Sequence, residues 1–293
     1  MAPGSDGMFA YARPRSLPET FALLDAEPAA RLLAGGTDLL VGVRKGTVAA
    51  PLLIDLKRVA ELQDGITERD GALRIGAGTV LTEVIDDRRV QEAFPALVAA
   101  ARVVGSIQIR NRATLAGNIC NASPAADTVP PLLAFGALLE LAGPDGRRRV
   151  PLAEFLVGPG RTVLGTGELV TAVELPLPNV TTGSAFERMT RRRGVDLATV
   201  NLACTVTSAG VTRFAFGAVG PRAFLVVDDT GTLAGGTADP TEEDAIIRRM
   251  TAEATPISNV RASREYRQAM LLVLSRRALH AARARLAEAS GDR

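Results

Sequence analysis

Short apolar runs punctuated by glycine and proline dominate the first two-thirds of this chain. Ser16 precedes a pattern centred on Thr20 to Leu24, with Pro18 in the first turn, so a capped helix is predicted there. Arg31-Leu32-Leu33-Ala34 reads as a short strand that stops at Gly35-Gly36. Leu39 to Val43 is apolar again, and Leu52 to Leu56 reads as another strand. The first unit is therefore strand, glycine turn, short helix, strand. Further on, Leu73 to Gly78 reads as strand and turn, Thr82 as the cap of a helix from Glu83 towards Arg88, and Phe94 to Val103 as an alanine-rich helix. A glycine segment at 113–119 follows and is expected to be a loop. Ala137 to Leu141 and Leu169 to Leu175 read as strands. Gly143-Pro144-Asp145-Gly146 is a turn, and Val150-Pro151-Leu152 begins a further element. Pro176-Leu177-Pro178 is the clearest linker. Beyond it, strands are predicted near Ser184–Met189, Ala198–Val206 and Arg213–Ala218, and a helix opens at Pro240-Thr241-Glu242-Glu243. A long amphipathic helix fills 263–289, with Leu272, Leu279 and Leu286 along one face. Strands and helices mix without a regular βαβ repeat, which favours α+β over a doubly wound sheet. The breaks divide the chain into a disordered extension, 1–7, and units at 8–58, 59–177 and 178–293.

Composition narrows the chemistry. The 293 residues, 47% of them hydrophobic, are enough for about two or three domains. Lysine and arginine number 34 against 32 acidic residues, so no charge excess points to nucleic acid. Local basic runs, Arg147-Arg148-Arg149, Arg191-Arg192-Arg193 and the C-terminal stretch, read as solvated surface. Two cysteines, Cys120 and Cys204, cannot make a disulfide framework or supply an iron–sulfur or cysteine-ligated zinc site within the chain. One histidine, His280, sits among arginines in the C-terminal helix, which removes Ser-His-Asp, Cys-His and histidine-metal chemistry. If the chain belongs to an enzyme, a cofactor does the hard chemistry. The first residues lack the pattern of a secretion signal, and no apolar run reaches the ~18 residues of a membrane span, so a cytoplasmic location is expected.

Glycine beside a strand end permits positive φ or a close backbone approach, and it exposes N–H groups to an anion. Gly35-Gly36 and Gly117 both sit in such places, although either alone is also what an ordinary tight turn looks like. No segment fits a dinucleotide fingerprint or a Walker A loop: Gly158-Pro159-Gly160 and Gly165-Thr166-Gly167 lack the third glycine and the following helix. A phosphate-bearing cofactor would need another arrangement, and two separated loops clasping one pyrophosphate is a physically sensible one.

Those segments also carry a resemblance. Leu32-Leu33-Ala34-Gly35-Gly36-Thr37-Asp38-Leu39-Leu40 resembles the first FAD-pyrophosphate loop of the medium subunits of the xanthine dehydrogenase and carbon monoxide dehydrogenase family. Thr114-Leu115-Ala116-Gly117-Asn118-Ile119 resembles their second loop, and Ser123-Pro124-Ala125-Ala126-Asp127 the segment after it. Phe186-Glu187-Arg188 through Arg192, Asp196-Leu197-Ala198 and Asn259-Val260-Arg261-Ala262-Ser263 continue the family's order, so the likeness spans about Met8 to Leu279. It implies a vanillyl-alcohol-oxidase (PCMH)-type FAD-binding domain of two subdomains, followed by a C-terminal α+β domain of the CO dehydrogenase flavoprotein type. It would place Leu32 to Leu40, and Ala113 to Asn121 including Cys120, around the pyrophosphate and ribityl chain. Asp127, next to Ala126, would bond the ribityl or flavin region, Arg188 would lie near the isoalloxazine, and Val104, Gly105 and Val170 would pack against the cofactor.

The function implied is that of the FAD-binding electron-transfer subunit of a molybdenum hydroxylase, an oxidoreductase. Its partners would be a small subunit with [2Fe–2S] clusters and a large molybdopterin subunit, as a heterotrimer that dimerises, and electrons would leave to NAD or another acceptor. No general acid or base is needed from this chain. One departure stands out: the family's second loop usually carries a glycine pair, and here Ala116 replaces the first. A flavin-free scaffold subunit would take that alanine as its evidence. A stand-alone flavin oxidoreductase of the same fold, similar to the cell-wall enolpyruvyl reductase, would need proton donors in the third unit, where no such constellation is evident.

Overall fold

The computed structural model describes residues 9–236 and 238–291; the expected extension, 1–7, lies outside the described residues. Three strands, β1 (Ala10–Ala12), β2 (Arg31–Leu33) and β3 (Leu52–Asp55), form a parallel sheet in the order β1-β3-β2. Parallel neighbours require crossovers. Helix Leu17–Ala26 supplies the first, and the Gly35–Asp38 turn with helix Leu39–Arg44 supplies the second. Ser16 caps the first helix through a 3.3 Å bond from the Glu19 N–H, as its place ahead of Pro18 predicts. Because β2 and β3 run the same way, the chain leaves both at one end of the sheet, with Gly35-Gly36 beside Leu56-Lys57. The sequence shows this unit without β1, whose Ala-Tyr-Ala is too short to signal.

The second sheet is antiparallel. Its strands are β4 (Ile66–Arg69), β5 (Ala72–Gly76), β6 (Leu138–Gly143) and β7 (Gly146–Pro151). After a short pair, β8 (Leu156–Gly158) and β9 (Arg161–Thr162), comes β10 (Leu169–Pro176), which takes the centre in the order β4-β5-β10-β6-β7. Leu169 through Leu175 are all buried. The β10–β6 register shifts at Thr171, and on its other side the Thr171 carbonyl accepts the Ala77 N–H at 2.9 Å, holding the Gly76–Gly78 turn against β10. Both sheets share one apolar core, in which Ile54, Leu62, Ile75, Leu97, Leu115 and Val173 are buried together. The helix at Leu81–Asp86 begins two residues earlier than Thr82 predicts. Val80 is its N-cap, and the Thr82 hydroxyl donates instead to Asn111 Oδ1 at 2.6 Å.

A four-stranded antiparallel meander follows: β11 (Thr182–Met189), β12 (Val200–Thr207), β13 (Thr212–Gly217) and β14 (Phe224–Asp228). Pro176 still belongs to β10, so the connection between the sheets is shorter than the prolines suggest. Helix Arg264–Ser290 lies across β11 and β12 and buries Leu271, Leu274, Ala278, Leu279 and Ala282. Of the predicted face, Leu279 is buried there, and Leu272 and Leu286 pack half-buried against the same core. A helix laid on a sheet buries a stripe with 3.6-residue spacing, and strict sevens drift off it. Gly183 permits the close approach: a Cβ there would overlap the Ala282 carbonyl. The architecture is α+β, as expected from the sequence.

Candidate functional site

The two glycine segments touch. Gly35 lies so near the Arg112–Ala113 backbone that a Cβ on it would overlap the Arg112 carbonyl. Gly36 follows in the left-handed region at φ 77°, turning the chain into helix Leu39–Arg44. Beside this contact opens a cleft of ≈ 170 Å³, lined mainly by apolar side chains. Leu32, Ala34, Gly35, Thr114, Ala116, Gly117, Cys120 and Val170, all expected site residues, line it.

The second segment is not a loop. Thr114 is the N-cap of helix Leu115–Cys120, its hydroxyl accepting the Gly117 N–H at 3.0 Å. Ala116 therefore sits in the first turn of a helix at negative φ, where its Cβ is accommodated. Among the described residues, the N–H groups of Gly35, Gly36, Thr37 and Asp38 have no acceptor. The site thus combines an apolar body with the unpaired Gly35 N–H at its edge, Gly36 to Asp38 continuing from it outside the lining.

Charge is sparse around it. Lys57 Nζ lies 2.6 Å from Asp55 Oδ1 and 3.4 Å from the Ala34 carbonyl. Asp55 is buried and also accepts the Tyr11 hydroxyl. Burial works against its ionisation, but the bonds from Lys57 and Tyr11 outweigh it and hold the carboxyl below its ordinary range. Burial pushes the Cys120 thiol up to about 12, so it offers a neutral, apolar surface to the cleft at pH 7.

The other expected residues fall elsewhere. Leu33, Ala113 and Ala126 are buried in the core, Leu39 begins its helix, and Asn121 is an exposed C-cap. Asn118 Oδ1 accepts the Thr128 hydroxyl at 2.7 Å. The carbonyls of Val104 and Gly105 accept from Arg110 at 3.1 and 3.4 Å, and Gly105 has φ 52°. Asp127 and Arg188 do not line the cleft; they meet each other. Arg188 Nη1 is 2.6 Å from Asp127 Oδ2 and 3.0 Å from the Val103 carbonyl, while Nη2 reaches the Asp196 carbonyl at 2.9 Å. Asn201 donates to Asp127 Oδ1 at 2.9 Å. Burial pushes the Asp127 carboxyl up to about 6, against the pull of Arg188 and Asn201. Asn201 was not foreseen, since a lone asparagine inside a strand carries no signal.

Comparison with known proteins decides the family. Residues 7–178 match the FAD binding domain in molybdopterin dehydrogenase, and residues 184–282 match the CO dehydrogenase flavoprotein C-terminal domain. The chain belongs to the FAD-binding medium subunits of the xanthine and CO dehydrogenase family. It is 33% identical over 274 residues to the xanthine dehydrogenase FAD-binding subunit of Escherichia coli O157:H7, covering 92% of this chain and 94% of that one. It is 34% identical over 284 residues to the carbon monoxide dehydrogenase medium chain of Hydrogenophaga pseudoflava, covering 95% and 98%. Among solved structures, the carbon monoxide dehydrogenase of H. pseudoflava lacking the Mo-pyranopterin moiety superposes with a TM-score of 0.87 at 33% identity, over 97% of this chain and 99% of that one. Quinoline 2-oxidoreductase from Pseudomonas putida 86 gives 0.87 at 29%, over 97% and 98%. This FAD-binding subunit is therefore part of an oxidoreductase.

Several residues that line the subunit's cleft escaped the sequence reading: Leu56, Lys57, Leu62, Gln63, Ala77, Gly78, Val80, Arg112, Leu164 and Leu169. The Gly76-Ala77-Gly78 turn was legible as a turn, and Lys57 directly follows a predicted strand. Nothing in the sequence tied either to Gly35. Among the described residues, no helix is long and apolar enough to cross a membrane.

Proposed function

We propose that the cleft between the two glycine segments holds FAD, with the pyrophosphate against the Gly35–Asp38 amides on one side and the Thr114–Gly117 helix start on the other. The observation that carries this is the Gly35–Arg112 backbone contact, which sets the unpaired amides that begin at Gly35 beside the second segment. Unsatisfied N–H groups suit a diphosphate. The apolar walls formed by Leu32, Leu164, Leu169 and Val170 suit a flat aromatic ring system. When bound, the flavin supplies a carrier that takes electrons singly and gives them up in pairs. This chain's residues bind it, orient it and exclude water; Arg188 fixes Asp127 and the Val103 carbonyl beyond the cleft.

In the full reading, the subunit links the [2Fe–2S] clusters of a small partner, fed by a large molybdopterin subunit, to NAD or another acceptor. Its family membership and the absence of a metal-binding group among the described residues support that division of labour. The likeness to a Cu,Mo-CO dehydrogenase supports the partners. Purification of the chain and measurement of flavin absorbance tests the cofactor assignment: a chain with neither bound nor bindable flavin overturns it. Co-purification with iron–sulfur and molybdenum subunits tests the assembly.

A further inference from the structure

Among the residues lining the cleft there is no carboxylate, and just two carry charge, Lys57 and Arg112. They stand on opposite sides of the Gly35 contact. Lys57 leaves β3 beside the first segment, while Arg112 precedes the Thr114 cap and its own carbonyl packs on Gly35. Their side chains are held differently. Lys57 is aimed by the buried Asp55, which fixes its ammonium near Ala34. The Arg112 side chain forms no ion pair or hydrogen bond among the described residues and is exposed. An arginine held in place for structural reasons finds a carboxylate or carbonyls, as Arg74, Arg148 and Arg188 do. A free guanidinium at the edge of an apolar cleft is a charge awaiting a partner.

We propose that Arg112 and Lys57 are the charge partners of the cofactor's diphosphate, Arg112 supplying the uncompensated positive charge and Lys57 an oriented second donor. This rests on the reading of the cleft as the FAD site. The diphosphate diester of FAD carries two negative charges, and backbone amides alone would leave them in a cleft of low polarity. Asp55 neutralises much of the Lys57 charge, so Arg112 carries the larger share of the long-range attraction. That share is screened by salt, whereas amide bonds at short range are much less so.

The test uses the full chain stripped of flavin, with FAD and ADP titrated separately at low and high ionic strength. Arg112→Ala is expected to weaken both about tenfold or more at low salt, to flatten the salt dependence, and to be largely rescued by Arg112→Lys. Lys57→Met is expected to weaken both by a smaller factor. Parent-like affinity for FAD and ADP in both variants overturns the proposal. So does a loss of affinity in Arg112→Ala that leaves the salt dependence unchanged, because that marks a structural role. A parent chain that binds neither FAD nor ADP instead sinks the cofactor reading itself.

Discussion

A methyl group at position 35 would collide with a peptide carbonyl from residue 112, and neither backbone has a flexible end that could move aside. Gly35→Ala is therefore expected to lose flavin and about 1–3 kcal/mol of stability, read by FAD retention and thermal unfolding. Position 116 makes the opposite case. The family motif favours glycine there, but Ala116 occupies a helical turn. Ala116→Gly is expected to leave FAD affinity near the parent's and to lower stability by less than about 1 kcal/mol. An affinity gain of tenfold would show that the methyl group does obstruct the cofactor. Asp127 sets a pH dependence. Its folded carboxyl binds a proton more tightly than the unfolded one, so its contribution is fully present below about pH 4 and is lost as pH rises through about 6. Asp127→Asn keeps the shape of the protonated carboxyl without its titration, so the parent's stability relative to the variant falls as pH rises. The gap in unfolding free energy should narrow between pH 4 and 6 by on the order of 2 kcal/mol. A widening gap in denaturant titrations would mean that Arg188 outweighs burial.

At the level of elements, much of the cleft was legible because its parts are punctuated locally. Ser16 with Pro18, the Arg31–Leu33 run before two glycines, and the Leu169–Leu175 run each announce themselves. What was not legible depends on partners distant in sequence. β1 is a strand only because β3 pairs with it, at Ala10 with Leu52. The Thr114–Asn118 segment reads as a loop from its glycine and asparagine, yet the Thr114 cap and the packing of Leu115 and Ile119 in the core make it a helix. Leu279 is buried as its position suggests, whereas Leu272 and Leu286 are only half-buried, because the sheet beneath the helix selects a stripe of 3.6-residue spacing. Lys57 and Arg112 could not be paired from sequence, since only the Gly35 contact brings their segments together. Thr114→Ala is expected to lose about 1 kcal/mol with the cap, together with part of the flavin affinity. Gly183→Ala attacks a different junction, where β11 meets the C-terminal helix. It should lower the unfolding temperature while leaving FAD affinity at 10 °C close to the parent's.

For the whole molecule, the cofactor should act as a structural ligand as well as a redox one. The cleft draws its walls from both the parallel sheet and the antiparallel sheet, so FAD at about 100 times its Kd should stabilise the chain by about 2.7 kcal/mol, measurable as a rise in unfolding temperature over the stripped form. The triad of Asp127, Arg188 and Asn201 crosses a wider gap. Its bonds join residues 61 and 74 positions apart. On a ribosome adding about 5–20 residues per second, Asn201 is made roughly 4–15 s after Asp127. Until Arg188 is added, 61 residues after Asp127, the nascent chain contains both glycine segments, but its Asp127 carboxyl lacks both side chains that receive it in the finished fold. Leu164, Leu169 and Val170, the last walls of the FAD cleft, are made before Arg188, so the cleft can assemble while the neighbouring carboxyl is still hydrated, and the closure of that site falls to the last sheet to be synthesised.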